Sequence, residues 1–406
     1  MKRLALFFDG TWNRPGDHTN VRRLYNLIDQ RGGDGVPQER HYDEGVGTHW
    51  YDRITGGAFG AGLSQNVEQG YRWLIQRYDP GDEIYLFGFS RGAFTARSLA
   101  GLMARCGLLR RDAPITFQQV FQRYRRGDRV KPIYQLIREK DSHIPRDAEE
   151  QDLLDHSYYH RDLITMVGVW DTVGSIGLPF GNIPGVSSRT LSFHNTHLTT
   201  VVKHSYQALA LDEYRKPYWA ILWTVFEPEP PEPGSSPRLD DRFVEQRWFP
   251  GAHANVGGGY HEDPLPQRPL AWIQEKARGV GLGFREGVPL DDGDLGVMPN
   301  DSYAEFLKGL WKLITLGRRY VRWVRSAPIL KQAKKTGTPG WVRTVNERID
   351  LCVFRHCQRN PAYRPLSLKE WAGREGVDLE ALIQAPGSRP DLTSPVTQPG
   401  IGPRPG

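Results

Sequence analysis

Cysteine is scarce in this chain. Only Cys106, Cys352 and Cys357 occur in 406 residues, too few for a disulfide framework, and they fit a reducing compartment. Cys352, His356 and Cys357 lie close together. A structural zinc site takes about four ligands, so a buried helix end is the expected reading and no metal or cofactor is expected. Long apolar runs are also absent. No stretch reaches the ~18 residues of a spanning helix. The run Leu4-Ala5-Leu6-Phe7-Phe8 is too short for the core of a secretory signal. The expectation is a soluble, cytoplasmically made protein without a signal peptide. Zinc knuckles and RNP-type motifs are missing too, so nucleic acid is not an expected partner.

What is present is an ordinary globular balance, with 38% hydrophobic residues. The net charge of +6 suits an anionic partner such as a membrane surface. Within this background one stretch stands out. Ile84-Tyr85-Leu86-Phe87 is an unbroken apolar run and reads as a buried strand. Gly88-Phe89-Ser90-Arg91-Gly92 follows in Gly-x-Ser-x-Gly form, and Ala93 to Met103 then has helical periodicity. Strand, tight turn and helix make the setting of a nucleophile elbow. The turn is so sharp that only small residues fit at Gly88 and Gly92, and the strained backbone lifts the Ser90 hydroxyl above the sheet.

The surrounding chain alternates strands and helices. Leu4–Phe8, Leu163–Trp170, Trp219–Phe226 and Arg242–Phe249 read as strands. Asn20–Ile28, with Asn20 as N-cap, Asn66–Tyr78 and His197–Leu211 read as helices. Gly45–Thr48 and Gly56–Leu63 read as flexible loop, because they lack the Lys-Ser/Thr of a phosphate-binding loop. The pattern predicts an α/β fold of the α/β-hydrolase kind: a mainly parallel sheet with helices on both faces and helical insertions. Residues 1–290 form the expected hydrolase domain, with 110–160 as a helical insertion. Residues 300–385 are an expected C-terminal helical region packed on it, and 387–406, rich in Pro, Gly and Ser, a disordered tail.

A serine needs a histidine base, and the base needs a carboxylate to fix its tautomer. In α/β-hydrolases they come in the order Ser, Asp or Glu, His, each after a strand. Asp171 closes the strand ending at Trp170, and His253 lies in a small-residue loop after Phe249. His194, His197 and His204 precede or lie on the expected helix, whereas His261 is the best substitute for His253. The oxyanion hole is expected from the N–H of Arg91 and from Gly10 or Thr11 after the first strand. The Arg91 side chain is a candidate for holding a carboxylate or a lipid phosphate.

Two other readings compete. Phe7-Phe8-Asp9-Gly10-Thr11 echoes the start of a metal-dependent phosphohydrolase, but its nucleophilic carboxylate would fall at Phe7. Asp9 is therefore expected to organise the first loop. The other alternative is a non-catalytic binding or adaptor protein on a hydrolase scaffold. Ser302–Arg325 reads as an amphipathic helix with Lys308, Lys312, Arg319 and Arg322 on one side. It is either a surface helix or a peripheral membrane contact.

Six blocks carry a family resemblance: Phe8–Asn13, Gly45–Thr48, Gly56–Gly62, Gly88–Ala93, Gly168–Gly174 and Gly251–Tyr260. In this order they resemble the type VI secretion phospholipase effector (Tle1-like) α/β-hydrolase family, long catalogued as a domain of unknown function. The resemblance implies a Ser-Asp-His esterase acting on lipid or other acyl esters, with phospholipase A activity. It also implies export by a type VI secretion system and a secretion-system or immunity partner.

Overall fold

The computed structural model describes residues 1–10, 18–44, 56–140, 146–173, 201–227, 243–324, 329–332 and 339–385. Its strands are β1 (Arg3–Phe8), β2 (Gln38–Asp43), β3 (Glu83–Phe89), β4 (Leu108–Leu109), β5 (Ser157–Tyr158), β6 (Ile164–Trp170), β7 (Val202–Ala210), β8 (Thr224–Glu227), β9 (Val244–Phe249), β10 (Ile329–Gln332), β11 (Pro339–Thr344) and β12 (Glu347–Ile349). Seven of them form one sheet in the order β12-β9-β7-β6-β3-β1-β2. Every pairing in it is parallel. The chain therefore has the expected α/β fold.

The central strands are apolar on both faces because both are covered. Leu4, Leu6, Ile84, Leu86 and Val167 pack on one side with Tyr71, Leu74, Ala96 and Leu99. These come from helices α2 (Gly56–Arg77) and α3 (Arg91–Cys106). Alternate residues Ala5, Phe7, Tyr85, Phe87 and Met166 face the opposite side. There they meet Leu24 of α1 (Asn20–Leu27) and Leu270 and Ile273 of the helix Gln267–Gly279. The period of two along each strand thus assigns each residue to one of two cores.

Several local expectations change. Of the helix expected over 197–211, residues 202–210 are the central strand β7, and 197–200 lie outside the described residues. Ala208-Leu209-Ala210-Leu211 has high helix propensity, but pairing to β6 and β9 on both sides overrides it. Gly56–Leu63, expected as loop, is the start of α2; glycine costs a helix only ~1 kcal/mol relative to alanine. Gly45–Thr48 lies outside the described residues. The N-cap of α1 is Thr19, whose side chain accepts from Arg22 N. Of Trp219–Phe226 only Thr224 onward is strand, and it belongs to a separate antiparallel sheet, β10-β11-β8.

Among the described residues of the 110–160 segment are three α-helices, Phe117–Arg126, Ile133–Arg138 and Ala148–His156. The antiparallel pair β4–β5 closes the segment at its base. Residues 302–325 do not form one amphipathic helix. Helical turns at Ser302–Glu305 and Leu310–Ile314 flank a 3-10 turn. Left-handed Gly309, Leu316 and Gly317 break the axis. After that segment the chain returns to the main sheet as β12, beside β9. The indole of Trp248 donates to Glu347 Oε2 there, at 2.8 Å. Cys352, His356 and Cys357 lie buried on the helix Leu351–Arg359. Among the described residues no helix is long and apolar enough to cross a membrane. The tail 387–406 lies outside the described residues.

Candidate active site

Because the sheet is parallel, the carboxyl ends of β3, β6 and β9 share one edge, where α/β folds place their ligands. Phe89 is the register partner of Trp170. The next residue on each strand, Ser90 and Asp171, is therefore brought side by side. The Ser90 N–H donates to Trp170 O at 3.0 Å. Ser90 has φ 59 and ψ −119 and begins α3, a strained conformation for a residue with a side chain. Close packing imposes the strain. A Cβ on Gly92 would sit 2.0 Å from Phe8 O, and one on Gly88 would sit 2.4 Å from Gly92 O. The turn has room for nothing larger than glycine at either position.

His253 follows β9 and is 6% exposed. Its Nε2 lies 2.8 Å from Ser90 Oγ, and its Nδ1 lies 2.5 Å from Asp171 Oδ2. His261, the alternative base, has a side chain 92% exposed. His204 stacks on Phe243 from within β7. His194 and His197 lie outside the described residues. Burial drives the His253 pKa below its ordinary value, against the pull of Asp171. The imidazole is thus neutral and able to accept a proton near pH 7.

Buried carboxylates hold the loop that carries His253. Asp212 Oδ2 accepts from Gly251 N at 2.7 Å and from Tyr363 OH, and Asp212 Oδ1 accepts from Tyr214 OH at 2.9 Å. Glu213 Oε2 accepts from His253 N at 3.3 Å, Ser302 Oγ at 3.1 Å and Arg215 Nη2 at 2.7 Å. Phe89 packs tilted on the imidazole, and Tyr218 meets it edge-on. None of Asp212, Glu213, Tyr363 and Tyr218 carries a motif that sequence reasoning could have used.

The other missed residue is Arg322. Its Nη1 donates to Asp171 Oδ1 at 2.6 Å and its Nη2 to Asp171 Oδ2 at 3.0 Å. Expected on a basic helix face, it is instead 2% exposed. Burial alone would raise the Asp171 carboxyl. Arg322, with help from His253, outweighs it and holds Asp171 at about 2.

Asp9 is buried next to the elbow. It accepts from Gly10 N at 2.7 Å, Thr19 Oγ1 at 2.5 Å and Tyr42 OH at 2.7 Å. It thus ties Gly10, Thr19 and Tyr42 together, and the Gly10 N–H is engaged in that arrangement. Thr11 lies outside the described residues. Arg91 is half-buried at the start of α3, and burial lowers its pKa to about 10, so its guanidinium stays charged at neutral pH. No group of three or more His, Cys, Asp or Glu able to hold a metal occurs among the described residues.

Known proteins share parts of this chain. An uncharacterized protein of Saccharomyces cerevisiae, YEL023C, is 29% identical over 246 residues, 55% of this chain. The chain spans only 33% of that yeast protein. An uncharacterized protein from Pseudomonas aeruginosa is similar in structure, with TM-score 0.41 and 16% identity over 70% of this chain and 46% of the other. A Tle1 effector solved bound to the VgrG spike of the type 6 secretion system has TM-score 0.35 and 15% identity over 86% and 94%. Residues 2–276, more than half of the sequence, match the family described as type VI secretion phospholipase effector Tle1-like, catalytic domain. The chain belongs to that family.

Proposed function

We propose that this protein is a serine hydrolase that cleaves carboxylic esters of lipids, phospholipids foremost, through an acyl-enzyme on Ser90. One observation carries the reading: His253 Nε2 stands 2.8 Å from the hydroxyl of a serine in a strained strand-to-helix turn. His253 Nε2 takes the Ser90 proton as Oγ attacks the ester carbonyl carbon. Asp171 accepts from Nδ1–H, which fixes the tautomer and stabilises the imidazolium. The tetrahedral oxyanion is met by the Arg91 N–H at the start of α3; the Gly10 N–H, which donates to Asp9 Oδ1, would have to release that bond to act as second donor. Collapse breaks the ester C–O bond, and the departing alkoxide takes the proton from His253. Water, deprotonated by His253, then attacks the acyl-enzyme carbonyl; the bond to Ser90 Oγ breaks, His253 returns the proton to that oxygen, and the fatty acid leaves.

The family supports lipid as substrate, and its type VI secretion description supports export by such a system with a secretion-apparatus or immunity partner. The test has two arms. A fluorophosphonate probe labels the wild type and not Ser90→Ala. Mass spectrometry of mixed phospholipids then shows lysophospholipid and fatty acid from the wild type alone. No labelling of folded wild type would sink the reading in favour of a non-catalytic scaffold protein. Labelling without phospholipid cleavage would keep the hydrolase and remove the phospholipid.

A further inference from the structure

We infer that Arg322 is a positioning residue of the active site, one that fixes where the proton of the His253–Asp171 pair resides. The inference rests on the serine-hydrolase reading above. Arg322 comes from beyond the family-matched residues 2–276, so a segment outside that match completes the site. Its guanidinium is 2% exposed and meets both oxygens of an Asp171 that is wholly buried. It also donates to the carbonyls of Ala210 and Tyr218. These bonds fix its plane and hold Tyr218 against the edge of His253.

The physical need is charge balance. A buried carboxylate without a counter-charge is unstable by several kcal/mol, and a resting general base must be neutral. His253 therefore cannot be the counter-charge before the reaction begins. Arg322 is the cation that contacts this carboxylate. Without it, two escapes exist. Asp171 takes a proton and donates to Nδ1, which leaves the hydrogen on Nε2, the atom that must accept from Ser90. Alternatively, His253 protonates and is lost as a base. With Arg322 in place, Asp171 stays ionised, Nδ1 keeps its hydrogen and Nε2 keeps its lone pair.

The test follows fluorophosphonate labelling of Ser90 against pH, which needs no knowledge of the natural substrate. In Arg322→Gln, with both escapes open, the acidic limb of the labelling rate moves up by about one pH unit and the rate at neutral pH falls ~10-fold. Arg322→Lys keeps the charge but loses the two-pronged contact. Its limb stays at the wild-type position while its rate falls. A slower Arg322→Gln whose limb has not moved would make Arg322 a structural brace and overturn the inference. If Arg322→Gln does not fold, removing both buried charges spares the core. Asp171→Asn is then compared with Asp171→Asn/Arg322→Gln. Arg322 acting through Asp171 predicts less than about a threefold further change, and an additive loss overturns it. Unlabelled folded wild type would instead overturn the hydrolase reading, and this assignment with it.

Discussion

Ser90 is held by backbone geometry, whereas His253 is held by buried charge. The serine's turn contains two glycines because Phe8 O and Gly92 O occupy the space a Cβ would need. Its parts are contiguous: β3, the turn and α3. The histidine's loop is fastened by Asp212, Glu213 and Tyr363, and its acid by Arg322, groups drawn from distant parts of the chain. Steric strain is insensitive to pH and salt. Buried charge depends on every proton in the cluster. The two halves should therefore fail in different ways.

The sharpest way to break the charged half is Glu213→Ala. It leaves Arg215 buried without its bidentate partner and removes the acceptor for the His253 N–H. Removing one member of a buried pair costs ~3–5 kcal/mol, so chemical denaturation should show a loss of that size. On the steric half, Gly92→Ala forces a methyl against the Phe8 carbonyl. The expected loss is ~3 kcal/mol in the same assay. Unlike the loss in Glu213→Ala, it should be the same at every pH where the wild type is folded. A pH-dependent Gly92→Ala defect would erase the contrast.

The same division governs what could be read in the sequence. The elbow was legible because strand, serine and helix are adjacent in the chain. Asp171 and His253, which lie next to one another and to Ser90, were legible as residues that follow strands. The sheet's parallel character followed from the alternation of elements. What could not be read is what depends on partners far away in sequence. Ala208 to Ala210 has helix propensity, and only the two flanking strands make it the end of β7. Arg322 fits a helical charge stripe, yet its partner Asp171 lies 151 residues away. A pattern of charges does not reveal whether the side that bears them meets water or a buried carboxylate.

Acid should separate the halves further. Asp171 is held at about 2 in the folded protein against an ordinary value of 3.8. A depressed carboxyl stabilises the fold above the unfolded value and loses that contribution as pH falls through the folded one. Roughly 2 kcal/mol should therefore disappear between about pH 4 and about pH 2. Melts of wild type and Asp171→Asn across that window measure it. Parallel curves would mean that Asp171 is not the group responsible.

The smallest expected effect tests the outermost member of the charged half. Tyr363→Phe removes the hydroxyl that donates to Asp212 Oδ2 and leaves the ring in place. A hydrogen bond to a charged group is worth ~1.5–3 kcal/mol. Asp212 keeps its bonds from Gly251 N and Tyr214 OH, so the loss should fall at the low end, ~1.5 kcal/mol. Burial already raises the Asp212 carboxyl, and losing a donor raises it further. The stability difference from wild type should therefore shrink as acid protonates Asp212 in both proteins. The Ser90 labelling rate should fall only a few-fold, because Glu213 still accepts from His253 N. A Tyr363→Phe protein as stable and as fast as wild type would show that the charged half ends at Glu213.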